Sequence, residues 1–270
     1  IKSYGQTVFV LQGGGALGAY QVGVVEALTE AGVDPDWVIG TSIGAINAGL
    51  IAGSEPGERM DRLDAFWDRV AYEDDFSYTS NFFGLFARNM ATISTGLDGF
   101  FKPNPIAFAN PFLPLSAEDA GYYSTDPLRE TLSELIDFER INAGKTRLAV
   151  GAAAVKDSTM RYFDSADEGT ELGLEHIMAS GALPPAFPAV RIDGELYWDG
   201  GILSNTPIEY VFDAPGRQDA MIFAVQLWNA EGEEPQAIWE VMNRQKEMQY
   251  ASRVETHIER QRQLHKLRHI

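Results

Sequence analysis

Hydrophobic residues along the chain form short β-branched runs that alternate with segments of helical period. The runs predict strands over residues 7–11, 37–39, 147–155, 160–163, 195–198 and 221–227. Helices are predicted over 19–30 and 43–52, and after Asp126, a candidate N-cap that Pro127 follows. Alternating strands and helices favour the α/β class, here a three-layer α/β/α sandwich with a mainly parallel central sheet.

Residues 73–121 interrupt this alternation with an aromatic stretch that is rich in Pro and Asn. The stretch is too long for an ordinary connection, and long inserts often serve as lids or binding loops. One interpretation is an apolar cap over a lipid-like substrate. The other is a small subsidiary core filled by Phe82, Phe83, Phe86, Phe100 and Phe101.

The last part of the chain, residues 231–270, predicts one long helix with an imperfect apolar stripe. The chain is therefore divided into a main α/β domain, 1–230, and a helical C-terminal extension, 231–270. We expect the stripe to pack on a partner chain, as in a homo-oligomer, or on sequence beyond residue 270. Both are favoured over binding to a membrane.

The charge balance narrows the choice of partners. A formal net charge of −18 argues against nucleic acid, because phosphate backbones are bound through clusters of Lys and Arg. It also disfavours purely electrostatic docking on anionic lipid, although a local lid can still contact a membrane surface transiently.

The sequence has no cysteine, which excludes disulfides, thiol nucleophiles and Cys-based zinc sites. We expect a cytoplasmic protein, peripheral at a membrane where such contact occurs.

A glycine cluster, GGGALG, follows the first predicted strand, and Gly13, Gly15 and Gly18 fit the dinucleotide-binding pattern G-x-G-x-x-G. That fold also needs an acidic residue at the end of its second strand to hold the ribose. Here Asp34 and Asp36 precede the second strand, and its end carries GTSIG instead. A nucleotide cofactor is therefore the least favoured hypothesis, and we expect neither an organic cofactor nor a metal.

The sequence GTSIG at a strand-to-helix turn is the nucleophile-elbow pattern G-x-S-x-G, with Ser42 at the turn. The carboxyl ends of the first two strands can lie side by side in a parallel sheet. The glycine-rich loop would then place its backbone N–H groups beside Ser42, where negative charge develops on an attacked carbonyl. Nucleophile and oxyanion hole are thus predicted in one pocket.

A serine nucleophile needs a base, and the histidines are poorly placed for it. None follows a late core strand; they are His176, on a predicted helix, and His257, His265 and His269 in the C-terminal extension. Asp199 is the better candidate, because a hairpin turning at Asp193–Gly194 delivers it into a flexible Gly-Gly corner. Burial would have to raise its pKa, or the proton must transfer only as the transition state forms.

GGGALG, GTSIG and DGG, in this order, resemble the motifs of the patatin-like phospholipases, and ASGALPPAFPAV at 179–190 resembles a fourth motif of that family. The resemblance implies that Ser42 is the nucleophile and Asp199 its base, acting on a lipid or small-ester substrate. It also implies an oxyanion loop made by Gly13, Gly14, Gly15 and Gly18.

One position departs from the family pattern: Leu17 stands where relatives usually carry Arg or Lys. The glycine loop together with a basic helical extension also resembles a bacterial branch that has an additional C-terminal region. The departure at Leu17 motivates a second hypothesis, in which the fold is kept with little or no catalysis. The protein would then be a regulator or scaffold that acts through its C-terminal helix.

Overall fold

The computed structural model describes residues 5–71, 92, 94–215 and 218–268 of the chain. Its strands are β1 (Gln6–Leu11), β2 (Trp37–Thr41), β3 (Lys102–Pro103), β4 (Tyr123–Ser124), β5 (Arg147–Ala154), β6 (Met160–Asp164), β7 (Val190–Ile192), β8 (Glu195–Asp199) and β9 (Ala220–Val225). Its helices are α1 (Ala19–Glu30), α2 (Ile43–Ala52), α3 (Arg59–Val70), α4 (Pro105–Ala109), α5 (Asp126–Leu135), α6 (Phe138–Asn142), α7 (Leu174–Ser180), α8 (Ile208–Asp213) and α9 (Ile238–Arg268). Short 3₁₀ turns at Gly15–Gly18 and Gly200–Ile202 follow β1 and β8.

The main sheet has the strand order β7-β8-β5-β2-β1-β9, and β6 lies on the other edge of β5. The four consecutive strands β9, β1, β2 and β5 are parallel, whereas β6, β7 and β8 are antiparallel to their neighbours. β2 pairs with β5 as far as Thr41 opposite Gly151, and β8 pairs with β5 from Asp199 opposite Ala152. β2 and β8 therefore share one edge of β5, and their ends meet there.

Helices cover both faces of the sheet. Val8 and Val10 of β1 pack into a cluster that includes residues of α8 and α9. Phe9 and Leu11 pack into a larger cluster with residues of α1, α2 and α3. Successive strand residues point to opposite faces, so this alternation places one layer of helices on each side. The predicted three-layer α/β/α class with a mainly parallel sheet is confirmed.

Two helices differ from what the sequence predicts. The N-cap of α5 is Thr125, one residue before Asp126. The reason is that the Asp126 N–H donates to the Ser124 hydroxyl at 3.2 Å, while its carboxylate pairs with Lys102 at 2.9 Å. In addition, α3 was not predicted, although its buried residues recur at helical spacing: Leu63, Phe66 and Val70.

Two phenylalanines in the described part of the aromatic insert, Phe100 and Phe101, pack inward. Phe100 lies against Phe66 with ring centroids 6.5 Å apart, and Phe101 lies against Tyr123 at 4.8 Å. Both rings also contact Phe187. The subsidiary-core interpretation therefore accounts for Phe100 and Phe101. The other three residues of that prediction, Phe82, Phe83 and Phe86, lie outside the described residues.

The long helix α9 packs on the protein's own core. Ala251 and Val254 are buried, and Ile258 contacts the cluster beneath α8. The apolar stripe is thus partly covered by this chain, whereas its N-terminal part is exposed at Ile238, Trp239, Val241, Met242 and Met248. Within the described ranges, no helix has both the length and the hydropathy of a membrane span.

Candidate active site

Ser42 sits in a strained turn between β2 and α2. Its φ is 57° and its ψ is −129°, which is an uncommon conformation for a residue with a β-carbon. The two glycines of GTSIG permit the close packing that this turn requires. A β-carbon at Gly40 would lie 2.2 Å from the Gly44 carbonyl oxygen, and one at Gly44 would lie 2.2 Å from the Leu11 carbonyl oxygen. Backbone contacts on both sides therefore hold the serine at the end of its strand.

Ser180, at the end of α7, supports this turn from the other side. The Ser42 N–H donates to the Ser180 hydroxyl at 3.0 Å, and that hydroxyl donates to the Gly151 carbonyl at 2.6 Å. Ser180 is fully buried, so these bonds are shielded from water. The arrangement links the elbow to the neighbouring strand β5.

Asp199 ends β8 and is buried, with 2% of its surface exposed. The Gly201 N–H donates to its Oδ1 at 2.7 Å, and Ser42 lines the same cavity. Burial raises the pKa of Asp199 to about 6, and the neighbouring Ser42 hydroxyl and Gly201 N–H limit the rise. Asp199 is therefore ionised at neutral pH and a stronger base than an exposed aspartate.

The glycine-rich loop lies beside Ser42. Both backbone polar groups of its first residue, Gly13, are already hydrogen-bonded. The Gly13 N–H donates to the Asn205 carbonyl at 3.0 Å, and the Gly13 carbonyl accepts from Asn205 Nδ2 and Trp228 Nε1. By contrast, the N–H groups of Gly14 and Gly15 have no acceptor among the described residues. These two N–H groups are the ones available to an oxyanion.

The last two positions of the loop, Leu17 and Gly18, face away from the cavity. Gly18 is buried, and a β-carbon there would lie 2.5 Å from Ile43 Cγ1, so the glycine lets the loop pack on α2. Its carbonyl accepts from Asn47 Nδ2 at 3.0 Å. The Leu17 side chain is 45% exposed and does not line the cavity.

The cavity above Ser42 has a volume of about 210 Å³. It brings together five of the residues predicted from the sequence: Gly13, Gly14, Gly15, Ser42 and Asp199. Further lining comes from Leu183, Gly201 and Asn205, from Trp228 after β9, and from Lys246 and Tyr250 of α9. The C-terminal helix thus forms part of the wall of the cavity.

Tyr250 is held against the site by several contacts. Its ring lies on the Trp228 ring with centroids 5.2 Å apart, and its carbonyl accepts from Gln12 Nε2 at 3.3 Å. Burial raises the pKa of Tyr250, and the charge of Asp199 raises it further. The phenol is therefore neutral and close enough to Asp199 to sense its charge.

Several of these residues were not predicted. Asn205 follows DGG by four residues, and Ser180 lies within ASGALPPAFPAV. Their closeness to these motifs is a local signal that could have identified them. Lys246 and Tyr250 carry no such signal. His176 does not line the cavity; its ring contacts Phe163, its Nδ1 lies 2.9 Å from the Gly173 nitrogen, and burial lowers its pKa.

The fold and this geometry define an α/β protein with a serine at a strand-to-helix turn, a buried aspartate in the same cavity, and a glycine loop alongside whose Gly14 and Gly15 N–H groups have no acceptor among the described residues. The chain belongs to the Patatin-like phospholipase family, whose family model matches residues 9–212.

Individual relatives match over shorter stretches. Lysophospholipase nte1 of Aspergillus terreus is 60% identical over 43 residues, which are 16% of this chain and 3% of that protein. Triacylglycerol lipase SDP1L of Arabidopsis thaliana is 29% identical over 72 residues, 27% of this chain and 9% of that protein. The chain therefore spans less than a tenth of the length of either curated relative. The crystal structure of VipD from Legionella pneumophila aligns with a TM-score of 0.39 and 18% identity, covering 80% of this chain and 49% of that one.

Proposed function

We propose that this chain is a serine acyl hydrolase of lipid or small-ester substrates, with Ser42 as the nucleophile and Asp199 as its general base. The observation that carries the proposal is the placement of Ser42 in one cavity with a buried carboxylate whose pKa is raised to about 6. A general base works best when its pKa lies near the operating pH, and this value meets that condition for an aspartate. Membership of the Patatin-like phospholipase family supports the same class of reaction.

The reaction would proceed through an acyl-enzyme. Asp199 takes the proton of the Ser42 hydroxyl while the serine oxygen attacks the ester carbonyl carbon and forms a tetrahedral intermediate. The intermediate collapses as the C–O bond to the alcohol breaks, and the alcohol leaves with the proton that Asp199 returns. A water molecule then attacks the acyl-serine, again with Asp199 as base, and releases the acid.

The oxyanion of each tetrahedral intermediate would accept hydrogen bonds from the N–H groups of Gly14 and Gly15. Both glycines line the cavity beside Ser42. The Gly13 N–H is excluded as a donor, because Asn205 occupies it. Its role in this proposal is to anchor the loop, so that the next two N–H groups keep their direction during the reaction.

Hydrolysis of p-nitrophenyl butyrate tests the proposal. Ser42→Ala removes the nucleophile and is expected to lower kcat by at least about a thousandfold. Ser133→Ala, an exposed serine on α5, is the matched control and should keep the parent rate. A fluorophosphonate probe should label the parent and leave Ser42→Ala unlabelled. If the folded parent takes up no label, the regulator or scaffold hypothesis replaces this one.

Two further proposals concern the surroundings of the protein. We propose that a cytoplasmic form contacts membranes transiently through the exposed apolar side chains of residues 106–113, among which Phe112 is 92% exposed. We also propose self-association through the exposed N-terminal part of the α9 stripe, which includes Trp239 and Met242. Vesicle cosedimentation tests the first proposal and a solution mass measurement tests the second.

A further inference from the structure

Among the described residues that line the cavity containing Ser42 and Asp199, Lys246 is the only lysine or arginine. It belongs to α9, more than 200 positions from the glycine loop that it faces. Tyr250, one helical turn further on, lines the same cavity, because residues four apart share a face of a helix. The mechanism above uses Ser42, Asp199 and backbone N–H groups, and so gives Lys246 no role.

Contacts on both sides of Lys246 hold the backbone of α9 in place. Tyr250 is held by Gln12 and by the Trp228 ring, and the next residue, Ala251, is 1% exposed. On the other side, Arg244 donates to the carbonyl of Ala230 at 2.7 Å. Lys246 lies between these two anchors. Its side chain is therefore presented to the cavity by a helix that is tied down before and after it.

The Lys246 ammonium is also free of a counterion. None of the carboxylates in the described part of the chain forms an ion pair with it, although Arg244 on the same helix pairs with Glu247 at 2.8 Å. Among the described residues that line the cavity, the carboxylate is that of Asp199, which lies beside Ser42 and accepts from the Gly201 N–H.

Resting on the proposed function, we propose that Lys246 is a specificity-determining residue that binds an anionic group of the substrate, a phosphate or a carboxylate, close to the scissile ester. An ammonium is a compact point charge with three N–H donors and suits either anion. The cavity, at about 210 Å³, is smaller than a typical ligand pocket. It accommodates the ester at Ser42, while Lys246, which is exposed, holds the charged group at the mouth.

Two matched substrate pairs test this proposal. The first pair is p-nitrophenyl butyrate and mono-p-nitrophenyl glutarate, which differ by a carboxylate. The second is monodecanoylglycerol and decanoylglycerol 3-phosphate, which differ by a phosphate. Lys246→Gln should lower kcat/KM for the anionic member of one pair about five- to tenfold, mainly through KM. The neutral member should change by less than about twofold. The pair that responds identifies the anion.

Two further variants act as controls. Lys246→Arg keeps the charge and should retain most of the preference for the anionic substrate. Lys266→Gln removes the same charge from the exposed far end of α9 and should change neither substrate. In the parent, added salt should weaken the preference, because salt screens the exposed charge of Lys246.

The outcomes separate this proposal from the function on which it rests. If Lys246→Gln lowers kcat equally for neutral and anionic esters, the lysine acts on the oxyanion and the specificity proposal is wrong. If it changes neither pair, the lysine has no role in substrate binding. In both cases Ser42→Ala would still abolish hydrolysis and the proposed function would stand. A parent that hydrolyses no substrate faster than Ser42→Ala removes both proposals.

Discussion

One wall of the cavity is made largely of backbone, and another is made of side chains. The first wall comprises the Ser42 elbow and the glycine loop; at the elbow, a β-carbon added at Gly40 or Gly44 would lie 2.2 Å from a neighbouring carbonyl oxygen. The second wall is α9, which reaches the cavity through Lys246 and Tyr250. Both walls surround the same serine, but they are held by different interactions.

This difference separates two tasks. Backbone packed on backbone cannot adjust by rotating a side chain, so the elbow keeps the nucleophile in a fixed geometry. The loop that carries the oxyanion donors is anchored by hydrogen bonds from the buried Asn205 and from Trp228. Lysine and tyrosine side chains can change rotamer without disturbing the helix that carries them. We therefore expect substitutions in the first wall to damage folding and chemistry together, and substitutions in the second to change substrate preference or local stability.

The largest expected effect comes from adding one methyl group to the first wall. Gly44→Ala places a carbon 2.2 Å from the Leu11 carbonyl oxygen, which belongs to a central strand and has no room to move. We expect the free energy of unfolding to fall by about 4 kcal/mol or more, with loss of ester hydrolysis. Urea unfolding followed by circular dichroism measures the first effect.

Gly23→Ala is the matched control for this substitution. Gly23 is also inside a helix, α1, but an added β-carbon there meets no atom within 4 Å. Because alanine favours the helix over glycine, the free energy of unfolding should rise by about 0.5–1 kcal/mol. A Gly44→Ala protein as stable as the parent would contradict the idea of a rigid first wall.

The second prediction concerns Asp199, where the two walls meet. Asp199→Asn keeps the shape and removes the base, so kcat should fall about a thousandfold. For the parent, kcat/KM should rise with pH up to about 6 and then level off, because the base works only when ionised. Asp193→Asn, in the β7–β8 turn, should leave the rate unchanged. An Asp199→Asn enzyme that retains the parent rate would remove Asp199 from the mechanism.

The same carboxylate is expected to lower stability at neutral pH. Its pKa is raised from 3.8 in the unfolded chain to about 6 in the folded protein, so the folded state binds the proton more tightly. The stability from this group is present below about pH 4 and is lost as the pH rises through about 6. At pH 7 we therefore expect Asp199→Asn to raise the free energy of unfolding by up to about 3 kcal/mol. A variant that is less stable than the parent at pH 7 would contradict this sign.

The first wall could be predicted from the sequence and the second could not. GGGALG and GTSIG each contain, within six residues, the strand end, the turn and the helix start that define their geometry. The fold class followed from the same periodicity. Lys246 belongs to a helix whose apolar stripe is imperfect, and nothing local tells which side of the domain that helix will cover. Its place depends on contacts such as the one between Gln12 and Tyr250, 238 positions apart.

A long-range contact also changed the details of the oxyanion loop. The sequence placed Gly13 and Gly18 on equal terms with Gly14 and Gly15 as members of that loop. Asn205, 192 positions from Gly13, occupies the N–H of Gly13, and Gly18 is packed on α2 away from the cavity. Periodicity and short motifs give no information on such pairings, because they form only when the segment after β8 docks against the loop after β1.

The smallest expected effects test what holds the second wall in place. Val254 of α9 is 1% exposed, and Val254→Ala should lower the free energy of unfolding by about 2 kcal/mol through lost packing. Glu247→Gln removes the partner of Arg244 on the same helix and should lower it by less than about 0.5 kcal/mol, because both side chains reach solvent. Neither variant alters a group that acts on the ester, so hydrolysis of p-nitrophenyl butyrate should stay near the parent rate. If Glu247→Gln lowered the free energy of unfolding as much as Val254→Ala, the ion pair between Arg244 and Glu247 would hold the helix in place as strongly as packing does. High salt would then release α9, and the side-chain wall would open under conditions that leave the backbone wall intact.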